Sequence, residues 1–173
     1  MTMVVPRHRA FVFGNDIDTD ALAPGQYMGG GIEALAAHCL EAVDPDFASS
    51  VQPGDIVVAG KNFGMGSSRE QAAQALRHLG VGAVVARSFA GIFYRNAINL
   101  GLPVFIATGD TSMLRPGDAV EIDIDGAALL TQTGRIALEP LPYFLLDMIA
   151  DGGLVPHLEK RFAASASPKE TAL

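Results

Sequence analysis

The run Gly60-Lys61-Asn62-Phe63-Gly64-Met65-Gly66-Ser67-Ser68-Arg69-Glu70-Gln71 sets two hydroxyls and a guanidinium side by side after a glycine-rich stretch. The apolar strand Ile56-Val57-Val58-Ala59 precedes it and a helical pattern follows, so the run is a strand-to-helix loop, where parallel sheets carry ligand sites. Two nucleotide readings fail. A dinucleotide fingerprint built on Gly64-Met65-Gly66 requires glycine where Arg69 stands, and a phosphate loop requires Gly-Lys-Ser/Thr. A nucleophile elbow fails as well, because its final glycine also falls on Arg69.

A cation in the first turn of a helix opposes the helix dipole, so Arg69 points to an anion bound there. Free backbone N–H groups, two hydroxyls and a guanidinium together suit a carboxylate or phosphate. The same positive potential would stabilise a serine alkoxide, which fits proton abstraction from a carbon beside a carboxylate. A purely structural reading competes: Ser67 with Glu70, and equally Ser68 with Gln71, match the capping box, in which the hydroxyl caps the first turn.

The loop Gly14-Asn15-Asp16-Ile17-Asp18-Thr19-Asp20 spaces acids two apart, but Ala21 and Tyr27 stand where a calcium loop needs glycine and glutamate. Its acids are expected to close an Asx-type turn and cap nearby N–H groups. Arg95 and Asn96 lie on a later helix, either as a solvent-facing pair or as support for the serine loop.

The elements that position these residues follow from periodicity. Phe11-Val12-Phe13 reads as a strand, Ile32 to Glu41 as a helix with Cys39 on its buried stripe, and Arg69 to Leu79 as a helix closed by Gly80. With Ile56–Ala59 and Ala83–Ala86 on either side, the last makes a βαβ unit with parallel strands. A helix from Phe89 to Leu100 leads to the strand Pro103 to Ile106, which extends the parallel sheet. Val120–Ile124, Leu129–Gln132 and Arg135–Leu138 read as antiparallel hairpins, and a helix from Tyr143 to Ala150 stops at Gly152-Gly153. The sum is one α/β domain carrying an extra antiparallel layer.

A formal charge of −7 over 173 residues argues against nucleic acid or an anionic membrane as partner, so an anionic substrate has to be held by local groups. The segment from Met1 to Arg9 lacks the apolar core of a secretion signal, and no run reaches the roughly 18 apolar residues of a membrane span, which makes the cytoplasm the expected compartment. One cysteine and scattered histidines hold neither zinc nor an iron–sulfur cluster. A metal that takes part in the chemistry has to arrive on another chain.

Four ordered motifs now carry a resemblance. Asp16 to Asp20, Gly54 to Gly60, Asn62 to Ala72, and Ser88-Phe89 with Ile92 to Pro103 resemble the small-subunit family of 3-isopropylmalate dehydratases, in the aconitase superfamily, from about Phe11 to Phe162. The resemblance implies a swivelling β/β/α three-layer domain, a parallel sheet plus antiparallel β hairpins, over residues 1–163; the low-complexity composition of 164–173 is that of a mobile tail. It implies a large partner subunit that binds a 4Fe–4S cluster through its own cysteines, so this chain binds no cofactor, is inactive alone and is free to self-associate.

By the family pattern Ser67 aligns with the catalytic base, and Gly66, Ser68 and Arg69 with contacts to the substrate carboxylate. Asp18, Thr19, Asp20, Asn62, Glu70, Arg95 and Asn96 fall behind them as supporting residues. The implied reaction is loss and re-addition of water on a hydroxy-dicarboxylate, with the cluster iron as Lewis acid on the departing hydroxyl. The first substrate is 3-isopropylmalate, in leucine biosynthesis; homoaconitate, dimethylmalate and citramalate or maleate follow, and a non-catalytic anion-binding module of the same fold is the alternative. Three departures from the pattern stand out. The specificity segment reads Tyr27-Met28-Gly29-Gly30-Gly31 where a bulky residue usually follows Tyr-Leu, Met65 replaces a common cysteine, and Gly91 replaces a common arginine.

Overall fold

The computed structural model describes residues 7–166. In chain order it contains β1 (His8–Val12), α1 (Thr19–Leu22), a 3₁₀ turn (Gly25–Gly30), α2 (Gly31–Ala36), α3 (Phe47–Ser50), β2 (Ile56–Ala59), α4 (Glu70–His78) and β3 (Ala83–Ala86). There follow α5 (Gly91–Asn99), β4 (Val104–Ile106), β5 (Ala119–Asp123), β6 (Ala128–Thr131), β7 (Arg135–Ala137), α6 (Tyr143–Ala150) and α7 (Leu154–Ala166). Among the described residues no helix is long and apolar enough to cross a membrane.

One sheet runs in the order β4-β3-β2-β1-β5-β6-β7. Strands β1 to β4 are parallel, and β5, β6 and β7 continue the sheet antiparallel from β1. Strands β2, β3 and β4 read as unbroken apolar runs because both of their faces are covered. Val57, Ala59, Val84 and Ala86 face a core shared with Leu76 of α4 and Phe93 of α5. Ile56, Val58, Ala83 and Val85 face a second core shared with Val120, Leu129 and Leu138.

That second core forms because the sheet curls until its ends meet. Thr108 donates to the Ala137 carbonyl at 3.0 Å, and Glu139 donates to the Ile106 carbonyl at 2.8 Å, so the edge beyond β4 joins the edge beyond β7. Joining the two edges leaves fewer unpaired N–H and C=O groups on show. The result is antiparallel sheet, parallel sheet and helices in three layers, the expected β/β/α arrangement.

Several boundaries differ from the sequence reading. β1 begins at His8, three residues before the Phe11 that the apolar pattern suggests, because His8 and Arg9 pair with Val120 and Ala119 of β5. The helical pattern over Ile32 to Glu41 is broken after Ala36. Leu40 takes a φ of +61°, and its amide donates to the Ala21 carbonyl at 2.7 Å. The periodicity still identified the buried side chains: Leu35, Ala36, Cys39 and Leu40 all lie in the core.

Two helices had no clear sequence signal. α3 is a single turn, and α7 carries Pro156 in its first turn, where the missing N–H costs nothing. α7 runs to Ala166, so Ala164, Ser165 and Ala166 of the expected tail are helical; residues 167–173 lie outside the described residues.

Candidate active site

The serine loop leaves the carboxyl end of β2 and is held on both flanks by backbone hydrogen bonds. On one side, Asp16 donates to the Lys61 carbonyl at 2.8 Å, Gly64 to the Ile17 carbonyl at 2.7 Å, and Thr19 to the Met65 carbonyl at 2.8 Å. On the other, Phe63 donates to the Ser88 carbonyl at 3.0 Å and Ala90 to the Phe63 carbonyl at 2.9 Å. Phe63 anchors the middle: it is fully buried and meets the Phe93 ring edge-on at 5.2 Å.

Two glycines make this path possible. Gly64 and Gly66 take φ of +80° and +102°, in the left-handed region. A Cβ on Gly64 would overlap the Phe93 side chain, and one on Gly66 would stand 3.2 Å from the Thr19 hydroxyl.

The acidic loop works as a brace. The Asp16 carboxylate accepts from the Asn62 amide at 2.7 Å, and the Ser88 hydroxyl accepts from the Asn62 backbone N–H at 2.9 Å. Asp18 caps α1 by accepting from the Ala21 N–H at 2.7 Å. Asp20 reaches across 49 residues to form an ion pair with Arg69 through Nη1, which also donates to the Ala23 carbonyl at 3.1 Å. The three acids therefore have separate partners. Asp18 fulfils the capping expectation, whereas Asp16 and Asp20 bind the serine loop.

The capping-box reading of the serines is not what folds. Arg69, with φ −109° and ψ 109°, is the residue that caps α4, and no side chain caps that helix. Ser67 and Ser68 therefore lie two and one residues too early for the box, whose partner three places after the cap is now Ala72. Both serines are exposed, and among the described residues neither hydroxyl has a hydrogen-bond partner. The anion expected beside Arg69 is, within this chain, the Asp20 carboxylate.

A cavity of about 140 Å³ opens beside this loop. Thr19, Gly64, Gly66, Ser67 and Arg69 line it together with Ala90, Gly91, Ile92, Phe93 and Asn96. Of the expected site residues, Gly66, Ser67, Arg69, Thr19 and Asn96 thus converge. Ser68 and Glu70 are exposed at the helix start, Asp18 caps α1, Asn62 ties the loop to Asp16 and Ser88, and Arg95 is exposed and does not line the cavity while its neighbour Asn96 does.

The segment Tyr27, Met28, Gly29 and Gly30 lies in the 3₁₀ turn, and none of the four lines the cavity. Tyr27 instead stacks on His38, with ring centroids 3.5 Å apart. The stretch Ala90 to Phe93 was not among the expected site residues. Its one sequence signal was the unusual glycine at position 91, at the start of a helix.

The aconitase C-terminal domain family matches residues 21–108. A 3-isopropylmalate dehydratase small subunit 2 from Archaeoglobus fulgidus is 49% identical over 156 residues, covering 88% of this chain and 93% of the relative. A methanogen homoaconitase small subunit from Methanothermobacter thermautotrophicus is 46% identical over 167 residues, covering 95% of this chain and 96% of the relative. The crystal structure of a 3-isopropylmalate dehydratase from Methanocaldococcus jannaschii superposes with a TM-score of 0.86 at 43% identity, over 94% of this chain and 98% of that one.

Proposed function

The chain belongs to the aconitase C-terminal domain family, and on that premise we propose that it is the small subunit of a 3-isopropylmalate dehydratase, a hydro-lyase of leucine biosynthesis acting in the cytoplasm. It contributes Ser67 as base and Arg69 as carboxylate clamp, is inactive alone, and joins a large subunit that carries a 4Fe–4S cluster. A 4Fe–4S cluster takes several thiolates, and the sequence has one cysteine. Its only cysteine, Cys39, is sealed in the core with its thiol pushed far up by burial, and among the described residues no three metal-binding side chains stand together.

One observation carries the reading: an unpartnered Ser67 hydroxyl and the Arg69 guanidinium line the same cavity at the carboxyl end of β2. Arg69 uses Nη1 for Asp20 and Ala23, and its Nη2 has no partner among the described residues. A substrate carboxylate replaces Asp20 or joins it at the free edge of the guanidinium. Ser67 then faces the carbon beside that carboxylate and takes its proton, and the positive end of α4 favours the alkoxide form. Asn96, which lines the same cavity, donates to the same substrate oxygens.

The test is co-expression with the large subunit, anaerobic cluster reconstitution, and assay of 3-isopropylmalate beside homoaconitate, dimethylmalate and citramalate. Ser67→Ala is expected to lower kcat by about 10²- to 10⁴-fold while circular dichroism stays unchanged. Full activity in Ser67→Ala, or a wild-type complex that dehydrates no acid in the panel, overturns the proposal.

A further inference from the structure

The 3₁₀ turn Gly25–Gly30 does not line the cavity, but it stands beside the arginine that does. Just before the turn, the Ala23 carbonyl accepts from Arg69 Nη1 at 3.1 Å. A Cβ built on Gly25 would stand 4.0 Å from Arg69 Nη2, the nitrogen left for a carboxylate. The turn therefore borders the free edge of the guanidinium.

Little within the turn fixes its position. No side chain caps it, and it runs through Gly29 and Gly30 into Gly31, the residue type that restricts a backbone least. Of its residues only Tyr27 is not exposed, and Tyr27 packs against the core. The Tyr27 ring lies flat on His38, with centroids 3.5 Å apart and planes at 6°. His38 is itself held from the side, its Nδ1 standing 2.6 Å from a Glu41 carboxylate oxygen. An ionised carboxylate only accepts, so Nδ1 donates, and the bond sets the plane of the ring on which Tyr27 rests. A half-exposed pair of this kind adds little stability. Its effect is orientation.

We propose that His38 is a positioning residue for the carboxylate clamp: its imidazole, oriented by Glu41, holds Tyr27 and thereby keeps the Gly25–Gly30 turn against the Arg69 guanidinium. This rests on the dehydratase reading above. Neither His38 nor Glu41 lines the cavity, so both act through Tyr27 and the turn.

The experiment compares His38→Ala, His38→Phe and Glu41→Ala in the reconstituted complex with the large subunit, with 3-isopropylmalate as substrate and succinate as unreactive inhibitor. An aromatic stack is worth a factor of about three to ten, and His38→Ala is expected to raise KM for the substrate and Ki for succinate by that factor. Its kcat should stay within about twofold of wild type, the pattern of lost uniform binding. His38→Phe restores a ring for Tyr27 and should return both constants to within about twofold of wild type. Glu41→Ala keeps the ring but not its orientation, and should shift both constants the same way by less. Amide hydrogen exchange gives a readout independent of activity: the amides of residues 26–30 should exchange faster in His38→Ala and recover in His38→Phe.

Unchanged KM and Ki in His38→Ala, a rise that His38→Phe does not reverse, or a loss confined to kcat overturns the assignment of His38, while wild-type activity leaves the dehydratase reading intact. A wild-type complex inactive on every acid overturns the dehydratase reading instead. In that case the exchange arm decides the positioning role, and unchanged exchange at residues 26–30 in His38→Ala overturns it.

Discussion

Two arginine–aspartate pairs tie the N-terminal segment to the βαβ unit, one at each end of the parallel strands, and they do opposite work. At the amino end, Asp55 is 4% exposed, and its carboxylate accepts from the Arg9 N–H at 3.0 Å, the Gln52 N–H at 2.8 Å and the Arg9 guanidinium at 2.8 Å. Burial pushes the Asp55 carboxyl up, but the Arg9 and Gln52 N–H bonds and the Arg9 guanidinium together hold it below the usual carboxylate range. At the carboxyl end, the Asp20 side chain is 69% exposed and bonds to Arg69 alone among the described residues. The same residue types make a saturated lock in one place and an exchangeable contact in the other. The number of remaining unused donors and acceptors separates the two.

If that distinction holds, substitutions at the two ends should move different observables. Arg69→Ala is expected to lower kcat/KM of the reconstituted complex by on the order of a hundredfold, about 2.7 kcal/mol, while stability changes by less than about 1 kcal/mol. A large fall in the denaturation midpoint would make Arg69 a second lock.

Asp55→Ala should do the reverse, costing about 2 kcal/mol in chemical denaturation with little change in KM. The loss stays below that for a fully buried pair because the half-exposed Arg9 regains water.

The Asp55 pair also sets a pH window. Its folded pKa is depressed, so its stabilisation is present above the unfolded value of about 3.9 and is lost as pH falls through the lower folded value. Denaturation of wild type and Asp55→Asn at stepped pH should show a constant gap above about pH 5 that narrows below about pH 4. A gap that widens on acidification would reverse the sign of the assignment.

The smallest effect belongs to Asp20→Ala, with a stability change below about 0.5 kcal/mol. Its KM for dicarboxylates should fall, because Arg69 no longer has an internal competitor. A rise in KM would instead show that Asp20 positions Arg69 for its ligand.

Much of this was legible without coordinates. β2, β3 and β4 are buried on both faces and so read as plain apolar runs, and the loop from Gly60 to Gln71 announced a site through residue types that neither a strand nor a helix needs. The partners were harder to read. Arg69 looked like a cation awaiting an external anion because Asp20 is 49 residues away, and no local pattern links the two. The serines looked like caps because spacing alone does not say which residue begins a helix. The joining of the sheet through Ile106 and Glu139 and the extension of β1 to His8 depend on partner strands far along the chain, and their own residues carry no mark of it.

By itself, then, the sequence determined which chemistry is available: a serine and an arginine at a strand-to-helix loop, one cysteine on a buried stripe, and no second thiol. Periodicity, turn residues and side-chain chemistry act over a few residues, so they survive in a linear reading. Tertiary structure alone decided which hydroxyls stay unpaired among the described residues, which aspartate is saturated and which exchangeable, and that Gly91 lines the same cavity as Ser67 and Arg69. Those are matters of distance between segments tens of residues apart, set by how the sheet curls and the helices cover it.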